Sequence, residues 1–341
     1  MLKFSLLPLL LLSLSWSFLS FAPSENAQLF GTDDILHVTL KSNFKDILND
    51  RGDERDYHKA IISWDDSLGQ KGSLPIRVKV RGNFRRNKNN CAFPPIRLNF
   101  DEGTEGTLFA GQNKVKLVTH CQGGATYQQY LLQEYLMYKI YNQLTDFSFR
   151  ARLLKIVYED ESGRIKPEVR YGFLIEAENL MAARNGAKSF DMEGIHPDET
   201  NKEIEVLMGM YQFLIGNTDW SIPGLHNVKL LRTEPSEPPI AVPYDFDWCG
   251  LISTPYAKPN ETLGIPSVRT RLYRGFCASD AQWQAGIDRF NAKKAEIYSL
   301  FETCPDLKPK IRKRALKYVD DFYEIINSEK RFKRELKIQC R

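Results

Sequence analysis

Gly216-Asn217-Thr218-Asp219-Trp220, then His226-Asn227-Val228-Lys229-Leu230-Leu231, then Pro243-Tyr244-Asp245-Phe246-Asp247-Trp248 place three carboxylates and an amide around a short apolar hairpin. Carboxylates in apolar surroundings are costly unless paired or bound to a cation. Asp245 and Asp247 share one face of a strand by the period of two, so they repel unless a cation or an arginine lies between them. Magnesium held for phosphoryl transfer is one account of the cluster. Pairing with Arg269, Arg271 or Arg274 is the other.

Outward from this knot, Lys202 to Ile215 reads as an apolar helix, and Asn227 to Leu231 and Ile240 to Phe246 as short strands. Asp280 to Phe301 and Lys310 to Asn327 carry apolar residues at helical spacing, Trp283, Ile287, Phe290, Ile297 and Phe301 on one and Ile311, Ala315, Val319, Phe322 and Ile326 on the other. The first half is strand-rich: Ile35 to Lys41, Tyr57 to Trp64, Leu74 to Arg81, Ile96 to Phe100 and Lys114 to His120. A helix over Tyr127 to Asn142 follows Gly123-Gly124, and then a hairpin of Ala151 to Glu159 and Val169 to Glu176. This pattern predicts a small mixed sheet with one helix packed on it.

At the N-terminus, Lys3, the apolar stretch Leu6 to Leu19 and the small residues Ser20, Ala22 and Ser24 read as a secretory signal peptide over residues 1–24. An uncleaved anchor is the alternative reading. Nothing after residue 28 is long and apolar enough to span a bilayer, which predicts a soluble mature protein. Six cysteines in an exported chain favour disulfides over metal binding, with sequential pairing expected: Cys91 to Cys121, Cys249 to Cys277 and Cys304 to Cys340. The net charge of +4 is too mild to argue for nucleic acid. The basic run from Lys308 to Lys317 follows the solvent face of its helix; an anionic membrane surface is the peripheral partner it would suit.

Phosphoryl transfer needs positive charge around the phosphates, a lysine on a strand tethered by a helix glutamate, a catalytic carboxylate and metal ligands. The chain offers these in order. Arg81-Gly82-Asn83 ends a strand and opens the basic loop Arg85-Arg86-Asn87-Lys88, which would cover phosphates. Lys116 lies on a strand and Glu134 on the only helix of that half. Asp219 is the candidate carboxylate for the acceptor, Asn227 a metal ligand, and Asp245 or Asp247 the acidic metal ligand. Asp219 as a turn cap, and Lys116 and Glu134 as surface residues, are the structural alternatives; His226 reads as structural.

Arg81-Gly82-Asn83, the strand Pro95-Ile96-Arg97-Leu98-Asn99-Phe100, the strand Tyr171-Gly172-Phe173-Leu174-Ile175-Glu176, Asn217-Thr218-Asp219 and Pro243 to Trp248 resemble the spore-coat CotH-type secreted kinases, and resemble an exported branch of that group more closely still. The resemblance covers roughly residues 74 to 250. It implies an α+β, two-lobed protein-kinase-like fold, with a β-rich N-lobe over 29–176 and a mainly helical C-lobe over 177–341. It also implies phosphorylation of an extracytoplasmic protein with ATP and Mg2+ or Mn2+, with Glu176 beside the adenine. Two departures stand out: the loop after Asn83 is basic rather than serine-rich, and Trp220 follows Asp219 where a basic residue is usual. Two other classes of function fit the same residues: a catalytically inactive binding or scaffold protein of the cell envelope, and a metal-assisted hydrolase of envelope polysaccharide using the acidic pair.

Overall fold

The computed structural model describes residues 27–66, 69 and 71–340; the signal-peptide segment lies outside the described residues. In chain order the elements are α1 (Ala27–Phe30), β1 (Leu36–Ser42), α2 (Phe44–Asn49), β2 (His58–Asp65), β3 (Lys71–Val80), β4 (Ile96–Asn99), β5 (Lys114–Val118), α3 (Ala125–Leu144), β6 (Ala151–Asp160) and β7 (Glu168–Ile175). There follow α4 (Glu178–Arg184), β8 (Lys188–Ser189), α5 (Lys202–Ile215), β9 (Val228–Arg232), β10 (Ile240–Pro243), α6 (Asp280–Ala292), α7 (Lys294–Thr303), α8 (Pro309–Ile326) and α9 (Glu329–Phe332).

Alternation along β1 to β7 sends every second side chain inward, where Val38, Leu40, Ile62, Ile76, Val78, Leu98, Val115, Leu117, Ile156 and Leu174 form one apolar interior. The strands close into a seven-stranded barrel in the order β1-β2-β3-β4-β5-β7-β6. Every neighbouring pair is antiparallel except the closing one: β1 runs parallel to β6, from Leu36 opposite Leu154 to Ser42 opposite Asp160. The expected two-lobed protein-kinase-like fold with a β-rich N-lobe and a mainly helical C-lobe is therefore incorrect: the strands form a closed barrel. Alternation specifies which face of a strand is buried, but not that β6 returns to β1 and removes both sheet edges.

A second apolar cluster joins α3, α5, α6, α7 and α8 to Val118, Leu153, Phe173 and Ile175 of the barrel wall. The small sheet β10-β9-β8 packs into the same cluster through Val228, Leu230, Leu231 and Val242. Gly216 ends α5 in the left-handed conformation (φ 66°), and a Cβ there would lie 2.1 Å from Tyr318 Oη. The helix read over Asp280 to Phe301 is broken at Lys293 (φ −102°, ψ 9°), although Trp283, Phe290, Ile297 and Phe301 are buried as the pattern requires. The strand read to Phe246 stops at Pro243, because Asp245 is left-handed.

Cys91 and Cys121 form the expected disulfide, whereas Cys277 pairs with Cys340. Cys249 and Cys304 are buried free thiols, both pushed up to about 12 chiefly by burial. Two disulfides fit an exported protein. Among the described residues no helix is long and apolar enough to cross a membrane.

Candidate active site

A cleft of about 830 Å³ lies between the outer face of β3, β4 and β5 and the segment that carries Asp219, Asn227 and Asp245. Barrel register puts Lys79 of β3 directly opposite Arg97 of β4, and Arg97 directly opposite Lys116 of β5. Arg81, two residues beyond Lys79, extends this row at the strand end. All four line the cleft. Like charges directly opposite across strands destabilise a sheet, and among the described residues none of the four takes part in a salt bridge. Only Lys79, over the Tyr57 ring at 5.2 Å, and Lys116, over the Tyr244 ring at 4.9 Å, have aromatic faces as partial compensation. Burial, then repulsion by Arg81, pushes Lys116 down to about 8, with Asp245 opposing the shift.

The loop after β3 has a different role from the one its composition predicts. Gly82 (φ 85°) turns it, Arg81 N–H donates to Pro95 O at 2.9 Å, and the Cys91–Cys121 disulfide ties it down. Arg86 pairs with Asp53 at 2.8 Å and Lys88 donates to Asn49 at 2.9 Å, and neither lines the cleft. Gly82 and Asn83 line the cleft beside Arg81. Phe84 packs edge-on against Trp248, centroids 5.2 Å apart, which docks the loop on the segment after Asp245.

Glu134 does not reach Lys116 as expected. Its carboxylate accepts from Arg85 Nη1 and Nη2 at 3.3 and 3.4 Å, and Arg85 Nε lies 3.5 Å from Asp247. All three side chains are at most one-tenth exposed. Burial raises the pKa of both carboxyls despite the arginine between them; repulsion by Asp247 and Asp245 adds to the rise at Glu134, and repulsion by Asp245 to that at Asp247. Asp247 also accepts from Tyr256 Oη at 2.8 Å. Asp247 is thus paired with an arginine, but with Arg85 and not with Arg269, Arg271 or Arg274; Arg271 pairs instead with Asp321 at 2.6 Å.

Asp219 is built into the opposite wall. Its N–H donates to Asn217 Oδ1 at 3.0 Å, and Arg274 donates to the carbonyls of Thr218 and Trp220 on either side. Asn227 Nδ2 donates to Asp219 O at 2.8 Å and to Oδ2 at 3.1 Å, leaving its amide oxygen as the atom for a ligand. His226 Nε2 lies 2.8 Å from Asp219 Oδ1. Asp245 is half-buried, with its N–H donating to Tyr138 Oη at 2.9 Å. Of six described non-glycine residues with positive φ, three line this cleft: Leu225 (45°), Asn227 (53°) and Asp245 (63°). Backbone held in that region costs energy and concentrates at functional sites.

Glu176 does not line the cleft. Its carboxylate is bound by Arg184 at 2.9 and 3.1 Å and by Arg150 N–H at 3.1 Å, joining α4 to the start of β6 rather than facing an adenine. Arg97 and Lys79 are cleft residues that the sequence reading did not single out; their signal is cross-strand register, which the sequence does not display. His226, read as structural, also lines the cleft.

Among the described residues no group of three His, Cys, Asp or Glu side chains gathers to hold a metal ion. Asp245 and the amide oxygen of Asn227 are oxygen atoms in the cleft that could serve a cation. Comparison with protein-family models and with curated proteins finds no match to this chain.

Proposed function

We propose that this protein is an exported phosphotransferase, acting in the periplasm, at the cell surface or outside the cell, that moves a phosphoryl group from ATP to an extracytoplasmic acceptor with Mg2+ or Mn2+. The observation that carries the reading is the row Lys79, Arg97 and Lys116, extended by Arg81, in one cleft with Asp245 and Asp219. A bound polyphosphate would relieve the repulsion along the row and restore full charge to Lys116. Asp245 and Asn227 would hold the cation, which when bound neutralises charge on the transferred phosphoryl group. Asp219, held by Asn217, Asn227 and His226, would orient the acceptor hydroxyl. The motif resemblance to the CotH-type enzymes supports this activity, and rests on the motifs alone.

Titration calorimetry with ATP in the presence and absence of Mg2+ tests the reading. Binding is expected to need the metal and to weaken at least tenfold in Arg97→Met and Lys116→Met; absence of binding at millimolar ATP with either metal would overturn it. A binding-only module is the second reading, favoured by Asp247 and Asn227 Nδ2 being committed to Arg85 and Asp219. It predicts the same binding without phosphate transfer.

A further inference from the structure

A second cavity, of about 210 Å³, lies where β6 ends and β7 begins, beneath α2, and shares no lining residue with the cleft. Four rings form its wall. Phe93 lies 4.6 Å from Tyr158 and 4.8 Å from His120, centroid to centroid, and Phe44 lies 5.4 Å from Tyr158. Leu48, Ala92 and Ile165 add aliphatic surface.

The polar groups in this wall are unequally satisfied. Asp160 is saturated: it accepts from Phe44 N–H at 2.8 Å, Ser162 Oγ at 2.5 Å, Arg164 N–H at 2.9 Å and Ile165 N–H at 3.2 Å. Tyr158 Oη and His120 Nδ1, on side chains 4 % and 3 % exposed, have no hydrogen-bond partner. A buried polar atom left without a partner carries its full desolvation cost. Burial, then Arg170, pushes His120 down to about 4, so the ring is neutral at neutral pH. The cavity thus combines aromatic walls with two lining residues whose buried polar atoms lack a partner; the charged residues in its lining are Asp160, which is saturated, Glu168, which pairs with Arg170, and Lys166, which is exposed. Apolar cavities of comparable size take up benzene-sized molecules.

We propose that this cavity is a binding site for a small, uncharged, planar aromatic molecule of one or two rings that donates a hydrogen bond to Tyr158 Oη. The rings supply the binding surface and the hydroxyl supplies the preference for a donor. The site is independent of phosphoryl transfer.

Calorimetry on the wild-type protein with indole, and with indene as the ring of the same shape without an N–H, tests this. Indole is expected to bind about tenfold more tightly than indene. Tyr158→Phe should leave the free protein at least as stable in urea and abolish that preference. Leu48→Trp, which fills the cavity from α2, should abolish indole binding while keeping a cooperative unfolding transition. No indole binding by the wild type, or unchanged binding in folded Leu48→Trp, overturns the site. A preference for indole that survives in Tyr158→Phe overturns the role of the hydroxyl.

Discussion

Replacing Arg85 with methionine keeps much of the side chain's apolar stem and removes the guanidinium between Glu134 and Asp247. Three nitrogen–oxygen contacts of 3.3 to 3.5 Å are lost, and two carboxyls with almost no exposure are left facing each other. Breaking a buried pair from one side costs about 3–5 kcal/mol. The carboxyls can escape this cost by taking up protons, so its size depends on pH. A carboxyl whose folded pKa lies above its unfolded value binds more protons folded than unfolded, and stability falls as pH rises between the two values. Both carboxyls are already raised in the wild type, and without Arg85 both rise further. If both titrate together, the slope reaches about −2.7 kcal/mol per pH unit. Urea unfolding of wild type and Arg85→Met at pH 5, 6.5 and 8 should give a deficit near 1 kcal/mol at the lowest pH and about 3–5 kcal/mol at the highest. Adding Glu134→Gln should recover part of the deficit at pH 8 and little at pH 5. A deficit that is the same at pH 5 and pH 8 would refute the assignment of a proton-linked buried triad.

The depressed pKa of Lys116, about 8, means that its charged form is disfavoured in the fold, so its contribution rises as pH climbs from 8 toward the unfolded lysine value. Urea midpoints at pH 8 and pH 10 should therefore rise less in Lys116→Met than in wild type. Cys91→Ala with Cys121→Ala opens a disulfide of sequence separation 30, and chain entropy puts the loss at roughly 3–4 kcal/mol by urea unfolding in non-reducing buffer. Asp245→Asn keeps the N–H bond to Tyr138, so its melting temperature should stay within about 4 °C of wild type while labelled phosphate transfer falls at least about a hundredfold.

Element type was legible wherever the hydrophobic period was strong. The barrel strands, α3, α5 and α8 lie within a few residues of where the alternation and the helical stripes place them. Closure was not legible, because the β1–β6 pairing joins segments far apart in the chain and leaves no local mark. The same limit governs the site. Asp219, Asn227, Asp245 and Lys116 were found from residue type and order, and they share one cleft. Pairing was another matter: an arginine on a loop and a lysine on a strand are equal candidates for Glu134 until the fold brings Arg85 to it. Arg97 shows the converse, an ordinary strand cation in sequence that becomes the middle of a repelling row through register alone. Cys249 and Cys277 were paired by proximity in the chain, whereas the C-terminus returns to give Cys340 to Cys277.

The central claim is that the cleft passes phosphate from ATP. Incubation with γ-labelled ATP and Mg2+ or Mn2+, using extracytoplasmic proteins as acceptors, measures it most directly. The account predicts metal-dependent labelling that Asp219→Asn and Asp245→Asn abolish in folded protein. Failure of the wild type to bind ATP or to transfer label with either metal would contradict it.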